Sequence, residues 1–311
     1  MDVYFSIDIG GTQLRAGLYA AGTTQPLAMK KIPTRGKGSA VERLLGLIGD
    51  LWPTDGSVVR GIGAAAPGPL DAFSGVIYSA PNIPGWTNLP LRQMLEDRFH
   101  VPAILGNDAN LAALGEWKFG AGQGHHDLLY FTISTGIGGG VIINDRLLLG
   151  KRGLAAELGH VTVLEGGPLC GCGQRGHLEA LSSGTGIASF VKEQLAAGRP
   201  SSLTPEPPPT ARQVSEAAAS GDALAVEALQ RAGHFMGLGI ANYLHIFNPT
   251  IVILGGGVTH SGSYFWDPLY ASLHSHVLSS QYLDDLVITR AALGDDAGLM
   301  GSLALAQSQG A

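Results

Sequence analysis

At 311 residues and a formal net charge of −6, the chain offers no basic footprint for nucleic acid, and no Lys/Arg cluster interleaved with aromatics occurs. Hydrophobic residues make up 45% and charged residues 14%, which excludes extended disorder and suits a tightly packed globular protein. The length allows two domains of about 100–200 residues each, and no apolar run reaches the length of a membrane span.

The opening MDVYFSIDIGGT has no basic n-region, apolar h-region or small-residue cleavage site, so the expected compartment is the cytoplasm. There, two cysteines are more often ligands or free thiols than a disulfide. VYFSIDIGG and TQLRAGLYA (3–20) predict two β segments joined at Gly10 and Gly11. A helical pattern follows at 40–52, a strand at 58–66, a helix at 88–99, a strand at 101–107 and a helix at 108–120. Further strands are expected at 127–135, 138–145, 249–257 and 285–293, with a long helical pattern at 222–247. The Pro- and Ser-rich stretch 198–213 is expected to be a surface loop between helices of the second domain, an interdomain linker being the alternative. Strands alternating with helices predict an α/β fold, and the opening hairpin predicts mixed sheets. The expected domains are 1–118 and a larger 119–311, with the last helix, about 296–308, a candidate to pack back on the first.

Asp8-Ile9-Gly10-Gly11-Thr12 puts a carboxylate at a strand end and two glycines at the turn, where backbone N–H groups can approach a phosphate and Thr12 offers a hydroxyl. An ordinary hairpin turn is the alternative. A second glycine turn, Ser134 to Gly140, and a third run, Gly255-Gly256-Gly257, are what a nucleotide lying across a cleft between two similar domains would require. No GxxxxGK[ST] occurs, which excludes a P-loop. Asp108, after the strand at 101–107, is an expected N-cap, and a carboxylate there can also accept a proton from a substrate hydroxyl. The two cysteines, Cys170 and Cys172, are too close in sequence for an unstrained disulfide. With His160 and His177 they offer four ligands for a tetrahedral zinc ion, the alternative being a reduced, unligated pair.

Together these residues resemble the ROK family and, within it, the bacterial ATP-dependent glucokinases. The resemblance is carried by DIGGT (8–12), GAAAPGPLD (63–71), PNIPGW (81–86), GNDAN (106–110), STGIGGG (134–140), AAELGH (155–160), CGCGQRGHLEALSSG (170–184) and ILGGGV (253–258). It implies an actin-like ATPase fold, two ribonuclease H-like α/β domains with a cleft between them, a sugar deep in the cleft and ATP with Mg2+ at its mouth. It implies Asp108 as general base, with Asn107, Glu157, His160 and Glu179 at sugar hydroxyls. Asp8, Gly10, Gly11, Thr12, Thr135 and Gly136 fall on phosphate contacts, and Gly255, Gly256 and Gly257 fall near the nucleoside. Two departures stand out: His177 replaces the usual third cysteine, and Gln13 replaces a frequent lysine.

The expected activity is γ-phosphoryl transfer from ATP to the 6-hydroxyl of glucose, with N-acetylmannosamine, N-acetylglucosamine or fructose as alternative sugars. The zinc is expected to be structural, because four ligands leave no position open for water. Relatives lead to the expectation of a homodimer or homotetramer, with no nucleic-acid or membrane partner. A non-catalytic sugar sensor or repressor is the alternative from another class; the acidic charge and a DIGGT motif beginning at residue 8 are the expectations against it.

Overall fold

The computed structural model describes residues 1–80 and 82–308, so Pro81, the first residue of PNIPGW, lies outside the described residues. In chain order the elements are β1 (Asp2–Ile9), β2 (Gln13–Ala20), β3 (Pro26–Pro33), α1 (Ala40–Asp50), β4 (Val58–Ala66), β5 (Leu70–Asp71), β6 (Val76–Ser79), β7 (Thr87–Leu89), α2 (Leu91–Phe99), β8 (Ala103–Asn107) and α3 (Asp108–Phe119). They continue with β9 (Leu128–Ile133), β10 (Ile137–Ile143), β11 (Arg146–Leu147), α4 (Leu178–Ser182), α5 (Gly184–Ala196), α6 (Ala211–Ala219), α7 (Ala223–Phe247), β12 (Ile251–Gly255), α8 (Ser263–His276), β13 (Val287–Arg290) and α9 (Ala297–Gln307). Two compact units result. The first holds 1–125, 140–156 and the chain from Ala291 on; the second holds 126–139 and 157–290.

In the first unit the main sheet has the order β3-β2-β1-β4-β8. β1, β2 and β3 run antiparallel in turn, while β4 and β8 join in parallel. The mixed sheet expected from the opening hairpin is therefore present. Side chains alternate across it with the two-residue period of a strand. Val3, Phe5, Ile7 and Ile9 of β1 join a core with Leu44, Leu47 and Ile48 of α1 and Leu91 and Leu95 of α2. Tyr4 points to the other face and packs with Tyr19 on Leu299, Met300 and Leu303 of α9. Each such fully buried aliphatic side chain contributes about 1.5–3 kcal/mol. A capping box between Ser39 and Glu42 fixes the start of α1.

Helix α9 lies close on that face because small residues let it. The Ser302 hydroxyl donates to the Ile7 carbonyl at 2.9 Å, and Ser6 donates to the Leu299 carbonyl. Against α3 the approach is backbone to backbone: a Cβ on Gly115 would collide with the Ala297 carbonyl, and one on Gly301 with the Leu111 carbonyl. Next to Gly115 at that crossing, the fully buried Glu116 accepts N–H bonds from Ala121 at 2.9 Å, Ala292 at 3.1 Å and Leu293 at 2.7 Å.

In the second unit β12 pairs in parallel with β9 on one side and β13 on the other, and all five of its residues are buried. That explains the near-continuous apolar run at 251–254. The 25-residue α7 starts on an Asp222 cap and stops at Asn248, which takes the left-handed conformation at φ 44°. Gly233 and Gly237 of α7 sit against the Phe265 and Leu269 carbonyls of α8.

Glu116→Ala should lower the stability of the first unit by about 3 kcal/mol, since three N–H groups lose a charged acceptor. Glu116→Gln, which keeps one carbonyl oxygen, should lose less. Urea unfolding followed by circular dichroism checks both; an unchanged Glu116→Ala midpoint would show that water replaces the carboxylate.

Candidate functional site

In the first unit the hairpin between β1 and β2 turns at Gly10–Thr12, closed by the Gly10 N–H donating to the Gln13 carbonyl at 2.9 Å. The turn is also held from outside by Thr34, a buried residue just past β3. Its hydroxyl donates to the Gly10 carbonyl at 2.6 Å, and its N–H donates to the Thr12 carbonyl at 2.8 Å. Gly11 and Thr12 line a cavity of about 630 Å³ with Pro33, Arg35 and Asn82. A Cβ on Gly11 would press on Asn82, so the second glycine is required by a close approach.

Asp8, at the end of β1, is paired with Arg15, whose Nε lies 3.0 Å and whose NH2 lies 2.9 Å from Oδ2. Arg15 also reaches Asp296 Oδ1 at 2.7 Å. Burial raises the Asp8 carboxyl above the usual carboxylate value, outweighing the opposing pull of Arg15.

The expected cap at Asp108 is corrected. Asn107 is the N-cap of α3: its Oδ1 accepts from the Ala109 N–H at 3.0 Å and the Asn110 N–H at 3.2 Å. Asp108 is the first helical residue, exposed, with Oδ1 accepting from Ala109 N–H at 2.8 Å. The cap needs an extended backbone, which Asn107 keeps because it still belongs to β8. Asp108 is thereby left at the helix's positive end, where a carboxylate is stabilised.

In the second unit the turn at Ser134–Gly136 docks on the start of α5. The Gly184 N–H donates to the Ser134 carbonyl at 2.7 Å, and the Thr185 hydroxyl donates to the Thr135 carbonyl at 2.8 Å. Thr135 shares a cavity of about 950 Å³ with Gly257, Thr185, the Pro208–Arg212 segment and His260. Two of the three glycine-rich runs therefore meet on one cavity. Gly255 and Gly256 are absent from its lining: Gly255 is buried in β12, and Gly256, at φ 87°, packs on the Ile133 backbone. The Pro-rich stretch is a loop between α5 and α6 that supplies one cavity wall, which its composition did not disclose.

The loop from Gly159 to His177 folds on itself through Val163 and Leu164 N–H bonds to the Gly176 carbonyl and a Gly176 N–H bond to the Pro168 carbonyl. A side chain at Gly176, φ 73°, would collide with the Leu164 carbonyl. The fold gathers all four expected ligands: one ligand atom each from His160, Cys170, Cys172 and His177 lie within 4.8 Å of one another. Cys170 Sγ is 3.7 Å from His160 Nδ1, and Cys172 Sγ is 3.3 Å from His177 Nδ1. Ligand atoms on a tetrahedral zinc stand about 3.5 Å apart, so the donor set fits that ion.

Glu179, on the first turn of α4, connects this loop to the glycine turn. Its Oε2 accepts the Ile137 N–H at 3.0 Å, and its Oε1 accepts the Cys170 thiol at 3.2 Å. Burial pushes that thiol up to about 12, with the Glu179 carboxylate adding to the rise. Glu157 is exposed at the edge of the same unit, three residues before His160. Sequence reasoning missed Arg15, Thr34 and Thr185. Thr34 carries no sequence signal, since a threonine after a charged edge strand looks solvent-facing; Arg15 is found only from the strand pairing.

A family model described as "ROK family" matches residues 4–309. The chain is 35% identical over 306 residues to the glucokinase of Thermotoga maritima, covering 96% of this chain and 95% of that one. The crystal structure of the ROK hexokinase from Thermus thermophilus superposes with a TM-score of 0.85 at 36% identity, covering 99% of this chain and 98% of its own. A ROK family glucokinase from Streptomyces griseus, solved in complex with glucose and AMPPNP, superposes with a TM-score of 0.77 at 33% identity over 98% of this chain and 99% of its own. The fold is that of the ROK sugar kinases, the actin-like ATPase fold.

Gly136→Ala should displace Glu179, because the new Cβ would collide with Oε2. The Ile137 amide would lose its charged acceptor, and its hydrogen exchange should speed up by about tenfold or more. An unchanged exchange rate would mean that the turn gives way instead.

Proposed function

The chain belongs to the ROK family, and we propose that it is an ATP-dependent hexose kinase transferring the γ-phosphoryl group to the 6-hydroxyl of glucose. The observation that carries the ATP half is the cavity shared by Thr135 and Gly257, which is roomy enough for a nucleoside and walled on one side by the docked start of α5. Full-length likeness to glucokinases supports the sugar half.

In this reading Asp108 orients the 6-hydroxyl and takes its proton as the sugar oxygen bonds to the γ-phosphorus. The bond from that phosphorus to the bridging oxygen breaks, and ADP leaves. The start of a helix favours the charged form of a carboxylate, which suits a proton acceptor that must be ionised before each turnover. Asn107 has spent its carbonyl oxygen as a cap, so its amide N–H groups are what remain for a hydroxyl. Glu157, Glu179 and His160 would accept from or bind further ring hydroxyls. Thr12 and Thr135, with the amides of Gly10, Gly11 and Gly136, would hold phosphoryl oxygens. Gly257 would face the nucleoside, with Gly255 and Gly256 setting the backbone behind it.

Both Arg15 contacts fall on Asp8 Oδ2, which leaves Oδ1 for a hydrated cation. Mg2+ bound there with ATP would supply charge neutralisation between the phosphoryl groups. A structural zinc held by His160, Cys170, Cys172 and His177 would lock the 159–177 loop and, through one ring nitrogen, the orientation of His160. The same reading carries with it a cytoplasmic, glycolytic enzyme acting as a homodimer or homotetramer. Among the described residues no helix is long and apolar enough to cross a membrane.

Two outcomes test the reading. Asp108→Asn should bind glucose nearly as well as the wild type while kcat falls by two or more powers of ten; a coupled ADP-release assay with glucose decides, and equal kcat would remove Asp108 as base. Protein purified without chelator should contain about one zinc per chain by elemental analysis, and Cys172→Ala should lose it and raise the glucose KM far more than the ATP KM. Full activity with well under one zinc per chain would sink the metal assignment.

A further inference from the structure

The Gly10–Thr12 turn is short of positive charge. Its own groups are amides and one hydroxyl, and Gln13 beside it is neutral. Arg15, the nearest guanidinium on β2, is already committed to Asp8 and Asp296. A polyphosphate seated on such a turn would bring several negative charges with no free cation from β1 or β2 to meet them.

The adjacent strand supplies one. In the β2–β3 register Gln13 stands opposite Pro33, so the two residues after Pro33 pass directly beside the turn. Thr34 pins them there: it is 2% exposed, and both its hydroxyl and its N–H bond the turn's carbonyls. The next residue, Arg35, lines the same cavity as Gly11 and Thr12. It is exposed and enters none of the ion pairs found among the described residues. A buried threonine that spends both polar groups on one turn fixes its successor's Cα over that turn, and Pro33 before it narrows the chain's freedom further.

We propose that Arg35 is a phosphate-binding residue that contacts the terminal phosphoryl group of the nucleotide at the Gly10–Thr12 turn, and that Thr34 is the positioning residue that delivers it. The proposal rests on the kinase reading and assigns a residue to its charge stabilisation. As the sugar oxygen bonds to the γ-phosphorus, the bridging P–O bond breaks, and the proton passes to Asp108, negative charge spreads over the equatorial oxygens. A guanidinium fork meets two of those oxygens at once, which an ammonium does not.

The test uses full-length Arg35→Ala, Arg35→Lys and the double variant Arg35→Ala/Gln13→Lys. Arg35 is exposed, so folding should survive, and thermal melting verifies that. Tripolyphosphate binding is measured by calorimetry; kcat and both KM values are measured with ATP and glucose. Arg35→Ala should weaken tripolyphosphate binding and raise the ATP KM by about tenfold or more, and lower kcat by a similar factor, with the glucose KM within about twofold of wild type. Arg35→Lys should fall between, and Gln13→Lys on the Arg35→Ala background should recover part of the tripolyphosphate affinity, which a purely structural role for Arg35 would not allow. Wild-type tripolyphosphate affinity in Arg35→Ala, or a change confined to the glucose KM, overturns the proposal. If the wild type phosphorylates glucose while Arg35→Ala matches it, Arg35 falls and the kinase reading stands. If the wild type binds tripolyphosphate through Arg35 but phosphorylates no sugar, the kinase reading falls and the phosphate assignment stands.

Discussion

Helices α3 and α9 touch backbone to backbone, and what the first unit presents depends on that crossing. Gly115 and Gly301 each leave out the side chain that would hold the helices apart, and Glu116 ties the end of α3 to the segment that leads into α9. A helix fixed so closely along its length has a fixed start. Asn107 and Asp108 therefore inherit their positions from contacts made one to two turns away. The same α9 presses on β1 through Ser302 and Ser6, and its second residue, Gly298, lies against Asp8. One interlock thus positions the carboxylate beside the Gly10–Thr12 turn and the carboxylate at the start of α3.

The second unit solves a similar problem without a helix crossing. Its turn at Ser134–Gly136 is held by backbone bonds to α5 and by Glu179, whose other oxygen meets Cys170. Anything that reshapes the cysteine loop moves Glu179, and Glu179 in turn bears on the glycine turn. A closed metal site would act on this unit by stiffening that relay, which is a reason for an ion with no open coordination position to matter to substrate contacts.

Much of this architecture was legible because it obeys local rules. The strands at 58–66 and 101–107 and the helices at 40–52 and 222–247 follow their periodicities to within a few residues. That His160, Cys170, Cys172 and His177 come together was legible from residue types and closeness in sequence, and one candidate ligand atom of each lies within 4.8 Å of the others. What escaped was set by distant partners. β3 has an exposed, Lys-rich pattern and exists only because β2 offers it an edge. The small β5–β7 sheet consists of strands of two to four residues, below the reach of any period. The cap fell to Asn107 rather than Asp108 because β8 runs through Asn107 and leaves it extended, while Asp108 is already helical. Thr34, Arg15 and Glu116 acquire their roles only through contacts that sequence does not show, in two cases with segments nearly 180 residues or more away.

In a chain with few charges, most polar groups of interest are already half used by the fold, and that fixes the direction of hydrogen bonding a ligand can meet. Asn107 gives its oxygen to α3 and keeps donors. Glu179 takes one N–H and one thiol and keeps only acceptor capacity. Asp8 is matched by Arg15 on one oxygen, so it can face a cation but presents a weakened net charge to an approaching phosphate. Each of these residues therefore has one remaining role, Asn107 as a donor and Glu179 as an acceptor, and a hydroxyl that meets either must take the opposite one. A hydroxyl presented to either residue in the wrong sense leaves a polar group unpaired, and that penalty outweighs what a further weak attraction could add.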